Sequence, residues 1–165
     1  RNLDITCLML NNEVYGMTGG QVSPTTAETR LTTTTPAGNS EPAFDACKLA
    51  EAAGAGLVGR EVTMQTPALR NLIKEGLAYE GFSFLEVMSD CTEIYGRKND
   101  LGDSAEMVLA QKSDMRPEAY TNSAEQPFRP NRLVTGILAR NDRPEYGDTY
   151  RRQAAALCGE GDDAA

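Results

Sequence analysis

Apolar positions along this chain fall into short runs of changing period, separated by glycine, proline or acidic residues. Asp4-Ile5-Thr6-Cys7-Leu8-Met9-Leu10 is nearly continuous, the pattern of a strand covered on both faces, as in a parallel sheet. It ends at Asn11-Asn12. Residues 11–42 are polar and broken by Gly16, Gly19, Gly20, Pro24, Pro36, Gly38 and four successive threonines from Thr32, with no sustained period of either kind. A loop of that length inside a compact domain is usually functional or disordered. Residues 44–53 carry apolar Phe44, Cys47, Leu49, Ala50 and Ala53 behind acidic Glu41 and Asp45 and ahead of Gly54, which predicts a helix. Residues 57–62 read as a strand. Thr66 as N-cap and Pro67 in the first turn open a second helix through Leu69, Leu72 and Ile73 to Leu77 and Ala78, and residues 82–88 read as a third strand.

Strand and helix alternating in this way predict an α/β fold, a doubly wound, mostly parallel sheet. Right-handed crossovers align the strand ends Asn11, Glu61 or Val62, and Ser89 along one carboxyl edge, where such sheets bind ligands. After Cys91 the character changes. Tyr95-Gly96-Arg97-Lys98-Asn99 is basic and loop-like, residues 104–112 suit a helix, and residues 113–131 are polar and proline-bearing. Residues 132–139 read as a last strand or edge segment. The tail from Pro144 holds a short helix over 150–157 and ends in a polar segment of the kind that stays mobile. The division is therefore a sheet domain over 1–112 and an extension with its tail over 113–165.

Charge and composition narrow the chemistry. The chain has 165 residues, enough for one domain with a real core, and a net charge of −8 that disfavours nucleic acid or an anionic membrane as partner. Histidine is absent, so histidine-based triads, zinc sites and haem ligation are excluded. No apolar run approaches the roughly 18 residues that span a bilayer and no signal peptide is evident, so the cytoplasm is the expected compartment. Cys7, Cys47, Cys91 and Cys158 are widely spaced with no C-x-x-C, so no disulfide framework or zinc ribbon is written here. Cys7 and Cys47 read as packing residues and Cys158 as incidental. Arg1 leads into a strand almost at once, which reads as a piece of a longer chain.

The sharpest local signal is Leu8-Met9-Leu10-Asn11-Asn12-Glu13-Val14-Tyr15-Gly16-Met17-Thr18-Gly19-Gly20-Gln21-Val22-Ser23-Pro24-Thr25-Thr26. An isolated Asn-Asn before glycine is most simply a turn. The whole string, however, resembles the β subunit of the 2-oxoacid:ferredoxin oxidoreductases, a family with the thiamine-diphosphate-binding fold. Cys91 followed by Tyr95-Gly96-Arg97-Lys98-Asn99 is similar to a second motif of that family, and Gly136-Ile137-Leu138 with Arg143-Pro144-Glu145-Tyr146 to a third. The resemblance implies that Asn12, through its amide oxygen, and Val14, through its carbonyl, ligate the Mg²⁺ that clamps the cofactor's diphosphate; hard oxygen donors suit that ion. Gly16, Met17, Thr18 and Gly19 would line the same cofactor, the glycines letting backbone approach phosphate closely. It implies too that Cys91 is one ligand of a [4Fe–4S] cluster, with basic Arg97 and Lys98 favouring its thiolate. A solvated basic loop, or one that binds coenzyme A phosphates or an acidic ferredoxin, is an equally open reading of those two cations.

The resemblance further implies coenzyme A-dependent oxidative decarboxylation of a 2-oxoacid, with electrons passing through the cluster to ferredoxin, and an α subunit as partner. Gly19 stands where some relatives have lysine, and the form of the string leans toward 2-oxoglutarate. Yet no Gly-Asp-Gly and no C-x-x-C is present, so the Mg²⁺ aspartate and the other cluster cysteines are missing. The expectation is therefore a carboxyl-terminal part of a β chain, its sheet incomplete at the N-terminal side, inactive alone, with no catalytic acid or base of its own. Two other readings stay open: a non-catalytic, degenerate interaction module of the same fold, and an unrelated doubly wound domain that binds a phosphate ligand.

Overall fold

A computed structural model describes residues 2–117 and 133–159. Within them, seven strands and four helices follow the chain: β1 (Ile5–Asn11), β2 (Val14–Tyr15), β3 (Gln21–Val22), α1 (Ala46–Ala52), β4 (Leu57–Val62), α2 (Thr66–Ala78), β5 (Phe82–Met88), a π-helical turn (Thr92–Gly96), α3 (Ser104–Asp114), β6 (Met115–Pro117), β7 (Leu133–Arg140) and α4 (Tyr146–Gly159). Five strands form one sheet in the order β1-β5-β4-β7-β6. β1, β5 and β4 are parallel, β7 runs antiparallel to β4, and β6 runs parallel to β7. The sheet is thus mostly parallel at its centre, and helices cover both faces. Leu57 and Leu85 pack with Leu72 and Tyr79 against α2 on one face, while Val58, Ala55 and Cys47 pack with Phe82 and Phe84 on the α1 face.

β4 is buried throughout, as expected of a central parallel strand. Its Gly59 lets α2 come close, because a Cβ there would stand 2.5 Å from Leu72 Cδ1. Asp45 caps α1 by accepting from the Lys48 amide at 3.1 Å, and Gly54, at φ +85°, ends the segment. α3 begins in a capping box: Glu106 N–H donates to Asp103 Oδ1 at 2.9 Å and Asp103 N–H to Glu106 Oε2 at 2.8 Å.

The structure corrects several expectations. β1 lies at the sheet edge and is not covered on both faces: Ile5, Leu8 and Leu10 are 54%, 45% and 70% exposed. A continuous apolar run says that a strand is meant to be covered and not what covers it. Gln65, not Thr66, precedes the first helical residue of α2, and the Thr66 hydroxyl turns back to the Thr63 carbonyl at 3.3 Å. The polar stretch 11–42 contains the small β2–β3 hairpin. Tyr95-Gly96 belongs to a π-helical turn and not to a loop, the Gly96 amide reaching back five residues to the Cys91 carbonyl at 2.9 Å. Residues 133–140, read as a last strand or edge segment, form β7, which lies between β4 and β6 and so joins the sheet from within. α1 is shorter than expected and α4 longer, starting at Tyr146, where half-buried Glu145 accepts from the Asp148 amide. The amides of Gly147 and Asp148 hold that carboxyl below its ordinary value. Most of the polar stretch read over 113–131 and the end of the tail lie outside the described residues.

Candidate functional site

The carboxyl edge of the sheet is level. Asn11 of β1 and Val62 of β4 both stand opposite Met88 of β5, and the Ser89 amide donates to the Asn11 carbonyl at 2.9 Å. Beyond that edge the chain turns sharply at Asn12-Glu13, where Glu13 adopts a left-handed φ of +58°. Side chains hold this turn. Asn11 Oδ1 accepts from the Glu13 amide at 2.9 Å and from the Thr25 hydroxyl at 2.8 Å, and the Thr26 hydroxyl donates to the Glu13 carbonyl at 2.5 Å. Asn12 donates its own amide nitrogen to the Asp90 carbonyl at 3.1 Å, which leaves Oδ1 as the atom for another partner.

Asn12, Gly16, Met17 and Cys91 converge. Together with Asp90 and residues 92–94 they line an open depression of about 440 Å³. A Cβ at Gly16 would lie 3.0 Å from Cys91 Sγ, so glycine is what admits the thiol beside the β2 backbone. A smaller cavity of about 170 Å³ lies between Asn12, Glu13, Arg30, Asp90, Tyr95 and Gln111. Gln111 closes it from α3, donating to Asp90 Oδ1 at 2.9 Å and accepting from the Met64 amide at 3.2 Å. Tyr95 is buried there; burial and the charge of Glu13 push its phenol above its ordinary value, against the opposing pull of Arg30.

The long polar loop is tied down by amide clamps. Asn99 accepts from the Leu31 amide at 2.7 Å and donates to the Leu31 and Tyr95 carbonyls at 2.9 Å each, fastening the loop to the π-helical turn. Asn39 donates to the Thr26 and Glu41 carbonyls at 2.9 and 2.8 Å. Thr26 and Thr32 are among the most deeply buried side chains.

Of the other residues read from the sequence, Val14 is buried and paired with Val22 in the hairpin, Met17 is fully exposed, and the Thr18 hydroxyl donates to Gln21 Oε1 at 2.8 Å. Gly19 has φ +117° and nothing within 4 Å of where a Cβ would stand. Val14, Thr18 and Gly19 do not line the depression that holds Asn12 and Cys91. Arg97 is exposed and paired with Glu93 at 2.7 Å, and Lys98 is exposed.

Sequence reading missed a buried polar network beneath the turn. Arg60 Nε donates to Glu86 Oε2 at 2.6 Å and Arg60 Nη2 to Asp45 Oδ1 at 2.7 Å; Glu86 Oε1 accepts from Asn11 Nδ2 at 2.7 Å, and Cys47 Sγ lies 3.4 Å from Glu86 Oε2. Burial raises Asp45, but the Lys48 amide and Arg60 outweigh it and hold the carboxyl below its ordinary value. Burial pushes the Cys47 thiol up to about 12, Arg60 opposing and Glu86 adding. Asp45, Cys47 and Glu86 place their ligand atoms within 4.8 Å of one another, but the Arg60 guanidinium already occupies an oxygen of each carboxylate, so this cluster is built as an ion-paired core. The signal in the sequence was a charged residue in the middle of two apolar strands, Arg60 and Glu86.

For Mg²⁺, the turn offers the right donor type in Asn12 Oδ1 and a backbone carbonyl, an incomplete set that cofactor phosphate oxygens and further ligands would fill. For an iron–sulfur cluster, Cys91 offers one sulfur against a wall without a side chain. Both fits are partial and compatible.

The chain matches the family model "Thiamine pyrophosphate enzyme, C-terminal TPP binding domain" over residues 1–87. It is 40% identical over 150 residues to the 2-oxoglutarate synthase subunit KorB of Methanothermobacter marburgensis, covering 90% of this chain and 52% of that protein. It is likewise 40% identical over 161 residues to the protein of the same name from Methanocaldococcus jannaschii, covering 97% and 59%. The chain thus spans little more than half the length of these curated relatives. Among solved structures, it resembles a 2-oxoglutarate:ferredoxin oxidoreductase from Magnetococcus marinus with 2-oxoglutarate, coenzyme A and succinyl-CoA bound, at a TM-score of 0.77 over 95% of this chain and 54% of that one. At 21% identity that likeness speaks to the fold. These names agree with the resemblance carried by the two motif strings. The chain belongs to the thiamine pyrophosphate enzymes, matching the model of their C-terminal cofactor-binding domain.

Proposed function

We propose that this chain is the part of a 2-oxoacid:ferredoxin oxidoreductase β subunit that presents the diphosphate end of thiamine diphosphate and one corner of a [4Fe–4S] cluster, with 2-oxoglutarate as the substrate. The observation that carries it is the meeting of Asn12, Gly16 and Cys91 at one depression on the carboxyl edge of the sheet. When bound, thiamine diphosphate supplies the carbon nucleophile and electron sink for decarboxylation, and the cluster accepts electrons singly. The protein's share is positional. Asn12 Oδ1, with the Val14 carbonyl from the adjoining hairpin, would hold Mg²⁺; the backbone at Gly16 and Met17, which line the depression, and at Thr18 and Gly19 beyond it would approach the cofactor; Cys91 would give its thiolate to iron. Coenzyme A and ferredoxin join as co-substrates, an α subunit completes the site, and the cytoplasm is the compartment.

The 165 residues alone supply too few ligands for either group, so the isolated chain is expected to bind thiamine diphosphate and Mg²⁺ weakly and to be inactive. A micromolar dissociation constant would contradict this. In the assembled enzyme, Asn12→Ala is expected to abolish cofactor retention, and Cys91→Ala to remove the cluster's visible absorbance and ferredoxin reduction. An intact complex carrying both substitutions with full ferredoxin reduction would overturn the proposal in favour of a non-catalytic module.

A further inference from the structure

Asn11 ligates neither cofactor nor metal in the proposed site, yet it is the best-connected side chain there. It is 5% exposed, and both ends of its amide are engaged: Nδ2 on Glu86 Oε1 at 2.7 Å, Oδ1 on the Glu13 amide at 2.9 Å and the Thr25 hydroxyl at 2.8 Å. An amide presents a donor and an acceptor of nearly the same shape, and its neighbours decide which way it faces. An ionised carboxylate is acceptor-only. Glu86 therefore compels Asn11 to turn its nitrogen inward, and the oxygen faces the turn, where a backbone N–H and a hydroxyl need an acceptor. Arg60, holding the other Glu86 oxygen at 2.6 Å, fixes that carboxylate in place. A buried ion pair is a costly way to fill a core, and a leucine would pack as well; what leucine lacks is a fixed acceptor under Asn11.

We infer that Asn11 is a positioning residue for the metal-ligand turn, its orientation set by the Arg60–Glu86 pair so that its oxygen holds Glu13 in the left-handed conformation that brings the Asn12 side chain and the Val14 carbonyl to one ion. This rests on the assignment of Asn12 and Val14 as Mg²⁺ ligands. Glu13 is not a glycine, so its φ of +58° persists only where such contacts hold it.

The test is a polarity swap in the assembled enzyme, reading the Mg²⁺ concentration needed for half-maximal thiamine diphosphate binding and, separately, the melting temperature without cofactor. In Asn11→Asp two carboxylates confront each other. In Glu86→Gln the new amide's oxygen serves Arg60 and its nitrogen meets Asn11 Nδ2, donor against donor, so Asn11 must flip. In the double variant the amide introduced at position 86 donates to the carboxylate introduced at position 11, whose other oxygen accepts from Glu13 and Thr25. Each single variant is expected to need about 10- to 100-fold more Mg²⁺, and the double variant to return to within about threefold of the parent. Singles that melt lower yet keep the parent's Mg²⁺ requirement, or a double no better than the worse single, would overturn the inference. If a single fails to fold, Thr25→Val removes just one donor to the same oxygen; a raised Mg²⁺ requirement supports the inference and an unchanged one refutes it. Asn12→Ala in the same assay separates the two levels: if it leaves the requirement unchanged, the ligand assignment itself fails; if it abolishes binding while the Asn11 variants do nothing, this inference alone fails.

Discussion

Arg60 and Glu61 are consecutive, both buried in β4, and their surroundings give them opposite energetics. Arg60 meets two carboxylates, so its charge is matched; burial lowers its pKa, but Glu86 and Asp45 outweigh this and raise it. Removing it in Arg60→Ala leaves Glu86 uncompensated in the core, a loss of about 3–5 kcal/mol measurable by urea unfolding. A change under about 1 kcal/mol would mean that the pair contributes little. Glu61, 5% exposed, accepts one backbone bond, from Val62 at 3.1 Å, and burial raises its pKa more than that bond lowers it. A carboxyl raised in the folded state above its unfolded 4.5 costs stability once ionised, so the cost is absent below about pH 4.5 and complete above the folded value. Glu61→Gln is therefore expected to raise the melting temperature at about pH 7 and to leave it unchanged near pH 4. An equal gain at both pH values would assign the effect to packing. At Cys47 a thiol pushed up to about 12 carries on the order of 10⁻⁴ thiolate at about pH 8. Iodoacetamide should thus label exposed Cys158 in the folded chain and spare Cys47 until denaturant is added, as peptide mass mapping would report.

At the scale of elements, the clearest dependence lies between the polar loop and the π-helical turn. Asn99→Ala removes three hydrogen bonds that join Leu31 and Tyr95, at 2.7, 2.9 and 2.9 Å. Hydrogen exchange at the Leu31 amide should accelerate while exchange in β4 and β5 stays slow, since the clamp lies outside the sheet. Acceleration spread through β4 would show instead that the loop is part of the cooperative core. The same contrast explains what was legible beforehand. β4 and β5 agree with their readings at both ends, because the period is short and glycine or a polar break bounds each run. The loop yielded no elements, because its order comes from Thr26, Thr32, Asn39 and Asn99, side chains that bond locally or to backbone with no periodicity to betray them. The Asn-Asn turn and Cys91 were visible as local strings, and the structure brings Asn12, Gly16 and Cys91 together. The Asn11–Glu86 contact was not visible, since its partners stand 75 residues apart: a glutamate inside an apolar strand signals that a partner exists without naming it.

For the molecule as a whole, the edge at β1 decides behaviour in solution. Among the described residues β1 pairs with β5 alone, so its outer row of backbone donors and acceptors is open, and Leu8 and Leu10 stand exposed on one face of it. A long, apolar, uncharged edge is what natural sheets avoid, because a second strand adds to it readily. β1 has no bulge, proline or lysine to blunt it. The net charge of −8 opposes association through long-range repulsion, which salt screens over a Debye length of about 8 Å at physiological ionic strength. Two opposed effects follow for the isolated 165-residue chain: apolar edge pairing favours self-association, and charge resists it at low salt. The expectation is a sedimentation coefficient that rises with concentration and rises further with added sodium chloride. Leu8→Lys with Leu10→Lys should restore a monomer at all salt concentrations while the circular dichroism of the sheet is kept, since both side chains face solvent. If association weakens with salt, charge pairing and not the β1 edge drives it. If the double lysine variant still associates, the interface lies on another surface, and the exposed leucines do not decide the solution state.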